Sequence, residues 1–462
     1  MPISSLPTAL QPTFSTTRLD EPITLYEGSL IIHSESNTSL RYNGSVEWRW
    51  LPSPGLVVDA VLQTDQGEQI EVAYNAFRST ETQLEVPGMA AIRMMPTNFN
   101  LGGDITGKLL GMYRPSIIPD LTELDFHIPN FPNYHGNFIK SSTGGSRSGR
   151  MELHADVWSV IIDNLDSTDV LTKSLKENGG HAITHVGKLK RHDDAPFQLS
   201  EVEAIMECLS FYLSFISGRW SPPVLWVGKK TLKSENIQIA PANLRLDSWK
   251  STNSWCNING IKVADDIRAL FPSFLNMFKT EHELFRLSVS WYLEVLSDNL
   301  VSDSRIILTQ AALELLALSI PPLYGQKAKG KAEHRLRGLL QLVVPAVSLA
   351  VPRSLARLTA ILDEEPAKSW NKSNSGHADC ASVIVSVRNL IAHPARTPAE
   401  KGLLRNTMAL YEASQLGVWF LEVVLLGWLS YSGRYRSRLM RFGWAGEGEP
   451  FPSPDADISL ST

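Results

Sequence analysis

The hydrophobic period of the chain changes once, near residue 263, and this change constrains the fold more than any other feature. Before it, short segments rich in β-branched and aromatic residues alternate apolar and polar positions, which is typical of antiparallel strands. After it, apolar residues recur with a period of 3.6 between prolines, which is typical of packed helices. The sequence therefore predicts an α+β multidomain chain: a β-rich, sandwich- or barrel-like domain followed by an all-α helical bundle.

Domain boundaries follow from the same pattern. We expect a flexible N-terminus at 1–19, a β-rich domain at 20–262 that includes a helix at 200–220, a helical bundle at 263–445, and a disordered acidic tail at 446–462. Within the β-rich domain the pattern predicts one long strand at 150–162. Within the bundle it predicts a helix at 378–392 and a long last helix at 398–430.

Composition narrows the class of protein. The 43 basic and 48 acidic side chains among 462 residues, with 43% apolar residues, exclude collagen-like, disordered and disulfide-scaffold chains. The three cysteines form no C-x-x-C pair, which favours a reducing compartment and hence the cytoplasm. The longest apolar run, 416–428, contains Glu422 and is shorter than the ~20 residues of a membrane span, so we expect a buried helix and no membrane partner.

Charge is distributed unevenly along the chain. Residues 1–264 carry a net charge of −6, residues 265–445 a net charge of +5, and residues 446–462 a net charge of −4. A polyanion could dock on the positive helical part, because phosphate binding needs local rather than total basicity.

The motifs of common cofactor and metal enzymes are missing from the sequence. It has no phosphate-binding P-loop, dinucleotide fingerprint, H-E-x-x-H or G-x-S-x-G. His181, His185 and His192 share one stretch, yet no cysteine or carboxylate completes a metal set at familiar spacing, so packed or solvated histidines are the favoured interpretation. We therefore expect neither a cofactor nor a metal.

One segment, SVIVSVRNLIAHPAR at 382–396, combines residues that could carry chemistry. Its apolar residues predict a core-facing helical stripe made of Val383, Val387, Leu390 and Ile391. That stripe places Arg388 on the flank of the helix with Asn389 beside it. Pro394 disfavours helical backbone at His393, which should therefore lie at the helix end, where the helix dipole favours a positive charge.

An arginine beside a histidine meets the needs of RNA cleavage without a metal. The imidazole of His393 can move protons near neutral pH, and the guanidinium of Arg388 can stabilise the charge of the phosphorane. The spacing alone is weak evidence, because an arginine five residues before a histidine is common by chance. An arginine paired with an acid and a histidine that caps the helix are the alternative.

The context of this motif resembles the HEPN superfamily. Residues 388–393 resemble its R-x(4–6)-H motif, including the polar residue after the arginine. Residues 287–316 resemble the first long helices of HEPN domains of the ApeA type, and residues 419–438 resemble their closing helix and its basic, aromatic exit. The β-rich region resembles the domain that precedes HEPN in ApeA-like antiphage proteins.

The resemblance implies a metal-independent endoribonuclease, a toxin-like effector of abortive infection regulated by its N-terminal domain and released by a phage-derived activator. It implies a homodimer through the HEPN domain whose motifs face one another in a composite site that leaves a 2′,3′-cyclic phosphate. Arg388 would polarise the phosphate, His393 would act as general base or acid, and Asn389 would orient either group. Glu314 would orient Arg388, or form an ion pair on its helix.

The exit of the last helix offers a further RNA contact. Arg434 and Arg436 alternate with Tyr431 and Tyr435, so phosphate contacts and base stacking could hold single-stranded RNA there.

Two alternatives remain open at this point. The bundle could be a non-catalytic HEPN module that dimerises or binds a nucleotide or RNA, joined to a ligand-binding β domain. The β domain could instead be the functional centre, a carbohydrate- or protein-binding sandwich, if Trp48 and Trp50 are exposed; tryptophans with a period of two more often lie in a core.

Overall fold

The chain forms two compact units, one of strands and one of helices. The computed structural model describes residues 5–34, 38–63, 82–100, 103–142, 144–230, 233–251, 253–364, 379–393, 398–439 and 446–452. The first unit comprises 1–213 and 220–251, and the second comprises 214–219 and 252–462. The predicted order of a β-rich region followed by a helical region is confirmed.

A closed six-stranded barrel begins the first unit. Its strands are β1 (Ile23–Ser34), β2 (Ser39–Arg49), β3 (Gly55–Leu62), β4 (Thr82–Glu85), β5 (Ile92–Phe99) and β6 (Ile105–Leu110), in the order β1-β2-β3-β6-β5-β4. Strand β4 pairs with β1 and closes the barrel. Trp48 and Trp50 are buried in this core, so the exposed aromatic pair required by a carbohydrate-binding surface is not formed by them. Residues 69–74, whose alternating apolar and polar pattern predicts a strand, lie outside the described residues.

An eight-stranded antiparallel sheet forms the rest of the first unit. Its strands are β7 (Met112–Tyr113), β8 (Glu123–Pro129), β9 (Asn137–Lys140), β10 (Ser146–Ala155), β11 (Trp158–Asn164), β12 (Ile183–Arg191), β13 (Val224–Lys230) and β14 (Lys233–Pro241), in the order β7-β14-β13-β8-β12-β11-β10-β9. Two helices accompany it, α1 (Thr168–Asn178) and α2 (Leu199–Ser217). The single strand predicted at 150–162 was wrong: the chain turns at Asp156, whose φ of 53° is left-handed, and forms a hairpin.

Eight helices and one small ladder are described in the second unit. They are α3 (Val263–Thr280), α4 (His282–Val295), α5 (Ser302–Leu323), α6 (Ala332–Val343), α7 (Ala356–Glu364), α8 (Cys380–Ala392), α9 (Pro398–Arg405), α10 (Thr407–Trp428), β15 (Arg434–Tyr435) and β16 (Glu449–Pro450). The long helix predicted at 398–430 is two helices, because Asn406 leaves helical geometry and caps α10 by accepting from the Ala409 amide. Helix α5 packs against α4, α6, α8 and α10.

Helices α5 and α10 are long and apolar enough to cross a membrane by length and composition. In α10, 83% of the most apolar stretch is buried inside the protein. In α5, 50% of the corresponding stretch is buried. The expectation of a buried helix at 416–428 is thus confirmed, and α10 is the central helix of the bundle.

Residues near the three predicted domain boundaries make contacts that the sequence pattern did not predict. Residues 5–19 are not loose: the amide of Leu10, for example, donates to Asp163 at 2.8 Å. The tail does not begin at 446, because β16 pairs with β15 and Phe451 is buried; residues 453–462 lie outside the described residues.

Contacts of the helical unit also extend to residues before the predicted boundary at 262. Phe215 and Trp255 belong to the helical unit, with ring centroids 5.2 Å apart, and Phe215 also contacts Tyr292 of α4 at 5.2 Å. A cut at 262 would therefore remove part of the helical core.

Candidate functional site

Helix α8 carries the Arg388 and His393 motif and is fixed firmly at its start. Asp379 caps it, accepting from the Ser382 amide at 2.8 Å, while the Ser382 hydroxyl oxygen accepts from the Asp379 amide at 3.0 Å. Arg337 of α6 donates twice to the Asp379 carboxylate, at 2.5 and 3.0 Å. Burial raises the pKa of the Asp379 carboxyl, but the hydrogen bonds from Arg337 and Ser382 outweigh it and hold the pKa below its usual value. The start of α8 is thereby tied to α6.

The apolar stripe of α8 is buried only in part. Val383 and Val387 are fully buried, as predicted. Leu390 and Ile391 are half-buried, so the stripe leaves the core in the last turn. The motif thus lies where the helix emerges from the bundle, beside the half-buried side chains of Leu390 and Ile391.

His393 lies directly beyond the helix end, as predicted. Its backbone is extended, with φ −129° and ψ 151°, and its amide donates to the Asn389 carbonyl at 3.0 Å. The side chain is exposed to solvent. The histidine therefore projects from the negative end of the helix dipole, where it can meet a ligand.

Arg388 is half-buried and is held by its neighbour. Its Nη1 donates to Oδ1 of Asn389 at 3.0 Å. Among the described residues no carboxylate pairs with Arg388. A guanidinium with an amide partner and no described acidic partner retains N–H donors for a phosphate. The described contacts therefore do not include the arginine–acid pair of the alternative interpretation.

Asn389 connects the two groups. Its side chain bonds Arg388, and its backbone carbonyl accepts from His393. About 7.5 Å of helix rise separates positions five residues apart, a span that a phosphodiester and its neighbouring ribose can bridge. This arrangement can bind an anion and move a proton next to it.

Glu314 has a different partner from the one the resemblance implies. Its Oε1 accepts from Nη2 of Arg335 on α6 at 2.5 Å. The contact joins α5 to α6, so it is an ion pair between helices and not an orienting contact to Arg388. The two α6 arginines, Arg335 and Arg337, were missed by sequence reasoning, because each acquires its acid from a segment at least 21 residues away.

The aromatic part of the predicted RNA exit was wrong. Tyr431 and Tyr435 are 4% and 2% exposed, packed against Phe451, and cannot stack on bases. The Tyr431 hydroxyl donates to the Arg434 carbonyl at 2.6 Å, and burial raises the pKa of both tyrosines. The reason is the segment at 446–452, which folds back over them.

The arginines of this exit are divided between surface and core. Arg434 and Arg436 are exposed, although Arg434 also donates to the Gly448 carbonyl. Arg438 is buried in a pair with Glu422, at 2.8 Å for both hydrogen bonds. Among the arginines of this exit that the structure describes, Arg434 and Arg436 keep the exposure that phosphate contact requires.

The three histidines singled out by sequence do not form a cluster, and His192 is exposed. His181 and His185 are buried, and His185 stacks on Tyr134 with ring centroids 5.4 Å apart. Burial lowers the pKa of His185 to about 3. In the described part of the chain no three side chains are placed to hold a metal ion.

The sequence of this chain is similar to YopA proteins. Residues 119–252 match the family model of the YopA central domain, and residues 279–449 match that of the YopA C-terminal domain. The SPbeta prophage-derived uncharacterized protein YopA of Bacillus subtilis (strain 168) is 26% identical over 456 residues, covering 93% of this chain and 95% of the relative. No solved structure matches significantly. Arg388 and His393 lie inside the C-terminal match.

Proposed function

We propose that the helical unit is a metal-independent endoribonuclease of the HEPN type. The observation that carries the proposal is the end of α8: Arg388 has no described carboxylate partner and is held by Asn389, and His393 is exposed just beyond the helix. A guanidinium and an imidazole at this spacing are what cleavage by the ribose 2′-hydroxyl needs.

In the proposed reaction His393 takes the 2′-hydroxyl proton, and the 2′ oxygen forms a bond to phosphorus. The bond from phosphorus to the 5′ oxygen breaks, and that oxygen takes a proton from an acid. The products are a 2′,3′-cyclic phosphate and a 5′-hydroxyl. Arg388 stabilises the charge that develops on the phosphorane, and Asn389 keeps the guanidinium in place.

A homodimer would supply the second proton-transfer group. Base and acid are both needed, and each protomer has one His393, so two motifs that face one another would complete the site. Exposed apolar residues on α5 support a partner surface, because Ile307 is 42% and Leu318 48% exposed on a helix that is apolar all round.

The dimer has its own test. Leu318→Glu should halve the mass measured by light scattering and abolish cleavage, whereas Ile117→Glu, at an exposed position of the β-rich unit, should change neither. A dimer that persists in Leu318→Glu would exclude this face of α5 as the interface.

The biological setting proposed is the cytoplasm, where the enzyme would act as a toxin-like effector of antiphage defence. The β-rich unit would restrain it until a phage-derived activator appears. The relative encoded by a prophage is described only as uncharacterized, so its printed name adds no activity.

The nuclease test is an RNA-cleavage assay in EDTA with the full chain, alone and with extract of phage-infected cells as a source of activator. Arg388→Ala and His393→Ala should lose cleavage. Arg357→Ala and His154→Ala, both exposed and outside the site, should retain it. Cleavage by all variants would refute the assignment of the site, and RNA binding without cleavage would favour a non-catalytic module.

A further inference from the structure

The N-terminal strap, residues 7–16, crosses one face of the eight-stranded sheet. Three side chains under it lie in one row: Arg150 is paired in register with Asp163, and His127 lies two strands farther on, because Asp163 and His127 are both opposite Val186. Directly paired residues share a face of an antiparallel sheet, so this row runs perpendicular to the strands. The strap follows the row.

These side chains recognise the backbone of the strap. Arg150 donates to the Thr8 carbonyl at 2.9 Å, Asp163 accepts from the Leu10 amide at 2.8 Å, and Nε2 of His127 accepts from the Phe14 amide at 3.0 Å. The spacing fits an extended segment. Asp163 and His127 are two strand spacings apart, which is about 10 Å. The four residues from Leu10 to Phe14 can span about 13 Å when fully extended, so the strap is long enough to contact both.

The groups that make these contacts are built into the sheet. The side chains of Arg150 and Asp163 are 7% and 0% exposed and bond each other at 2.7 and 2.8 Å. Nδ1 of His127 bonds the Leu225 carbonyl at 2.8 Å, which leaves Nε2 as the acceptor, and burial lowers the pKa of His127 to about 4. Each of the three side chains also makes one hydrogen bond to the strap backbone.

The strap itself contributes little side-chain burial. Of residues 5–18 only Ala9 and Thr16 are buried, while Leu10 and Phe14 are half-buried against the core. Residues 1–17 carry no charged side chain. At the edge of the sheet the strap also pairs with β9, where the Ala9 amide donates to the Lys140 carbonyl at 3.0 Å.

We propose that this row is a binding site for an extended, uncharged protein segment with an aliphatic residue and an aromatic residue four positions apart, and that the strap occupies it within the same chain. Side chains that bond a backbone, a strand edge that pairs with it and two half-buried apolar anchors are the elements of extended-peptide recognition. A partner segment of the same chemistry would replace the strap.

The first test uses the full chain with Leu10→Pro and Phe14→Pro, which removes the two amide donors and leaves the sheet unchanged. A fluorescent peptide of residues 5–17 should bind this variant at least tenfold more tightly than the wild type, whose site is occupied. The Thr13→Pro variant is the matched control, since among the described residues the Thr13 amide has no acceptor and its side chain is exposed. A peptide with aspartate at positions 10 and 14 should not bind.

The second test needs no variant. Hydrogen exchange of the wild type should show the Leu10 and Phe14 amides exchanging at least 100-fold faster than those of β8 and β11, because the strap opens without unfolding of the sheet. Exchange at the rate of the sheet would overturn the proposal by making the strap an integral part of the core. A folded Leu10→Pro/Phe14→Pro variant that does not bind the peptide would overturn it as well.

Discussion

Replacing Arg438 by methionine should destabilise the helical unit strongly. Glu422 on α10 is fully buried, and both of its oxygens accept from Arg438 at 2.8 Å. Tyr292 also donates to it, at 3.1 Å. Methionine keeps most of the apolar volume and removes the guanidinium, so the carboxylate loses its counter-charge in a buried position.

The expected cost is about 3–5 kcal/mol, the range for removing one partner of a buried ion pair. Urea unfolding at pH 7.5 would measure it. Arg436→Met is the matched control, because this neighbouring arginine is exposed and its replacement should change the free energy of unfolding by about 0.5 kcal/mol or less. The double variant Glu422→Gln/Arg438→Met should recover part of the loss.

The cost should also depend on pH. Burial already raises the pKa of Glu422 to about 7, and removing Arg438 takes away the main opposing influence. A carboxyl whose folded pKa exceeds its unfolded pKa binds more protons in the folded state, so the loss should shrink as the pH falls through the folded value. A cost below about 1 kcal/mol at pH 7.5, or a double variant no more stable than Arg438→Met, would refute the reasoning.

Three further changes have defined outcomes. Asp379→Ala removes the N-cap of α8 and both hydrogen bonds from Arg337. Thermal unfolding should show a free energy of unfolding lower by about 1–3 kcal/mol, and a decrease below about 0.5 kcal/mol would contradict this expectation. Burial lowers the pKa of His127 to about 4 in the folded state, so its contribution to the free energy of unfolding is complete above pH 6.5 and is lost as the pH falls from 6.5 to 4. His127→Gln should therefore reduce the loss of stability in this pH range. An unchanged dependence of stability on pH would exclude His127 as the group responsible. Arg434→Ala with Arg436→Ala should weaken RNA binding and lower its salt dependence; an unchanged salt slope would remove this segment from the RNA surface.

The helix that carries the motif could be predicted well from local sequence. Val383 and Val387 repeat at helical spacing and are buried, and the proline after His393 ends the helix where expected. The capping box of Asp379 and Ser382, three residues apart, was not identified from sequence. The stripe and the helix end depend on neighbours within a few residues, which is why sequence alone predicts them.

The environment of Tyr431 and Tyr435 could not be predicted in the same way. Alternating arginine and tyrosine fits an exposed RNA surface and an edge strand equally well, and the choice depends on Phe451, 16 residues beyond Tyr435. An acidic, proline-rich tail also gives no periodic signal of its own. The partner that buries the tyrosines is therefore visible only in three dimensions.

The contacts of the N-terminal strap in the first unit could not be predicted from sequence either. An uncharged segment with prolines and hydroxyls is typical of a flexible terminus, and its contacts to Asp163 and His127 are 153 and 113 residues away. Helix α1 was missed for another reason: only Leu171 and Leu175 are buried apolar residues in it, too few for a clear helical period.

The most direct test of the central claim is the chemistry of the RNA ends produced in EDTA by the full chain with its activator. Catalysis by His393 and Arg388 predicts fragments with a 2′,3′-cyclic phosphate and a 5′-hydroxyl, absent from reactions with His393→Ala. Fragments with a 5′-phosphate, or the same cyclic ends from His393→Ala, would contradict the account.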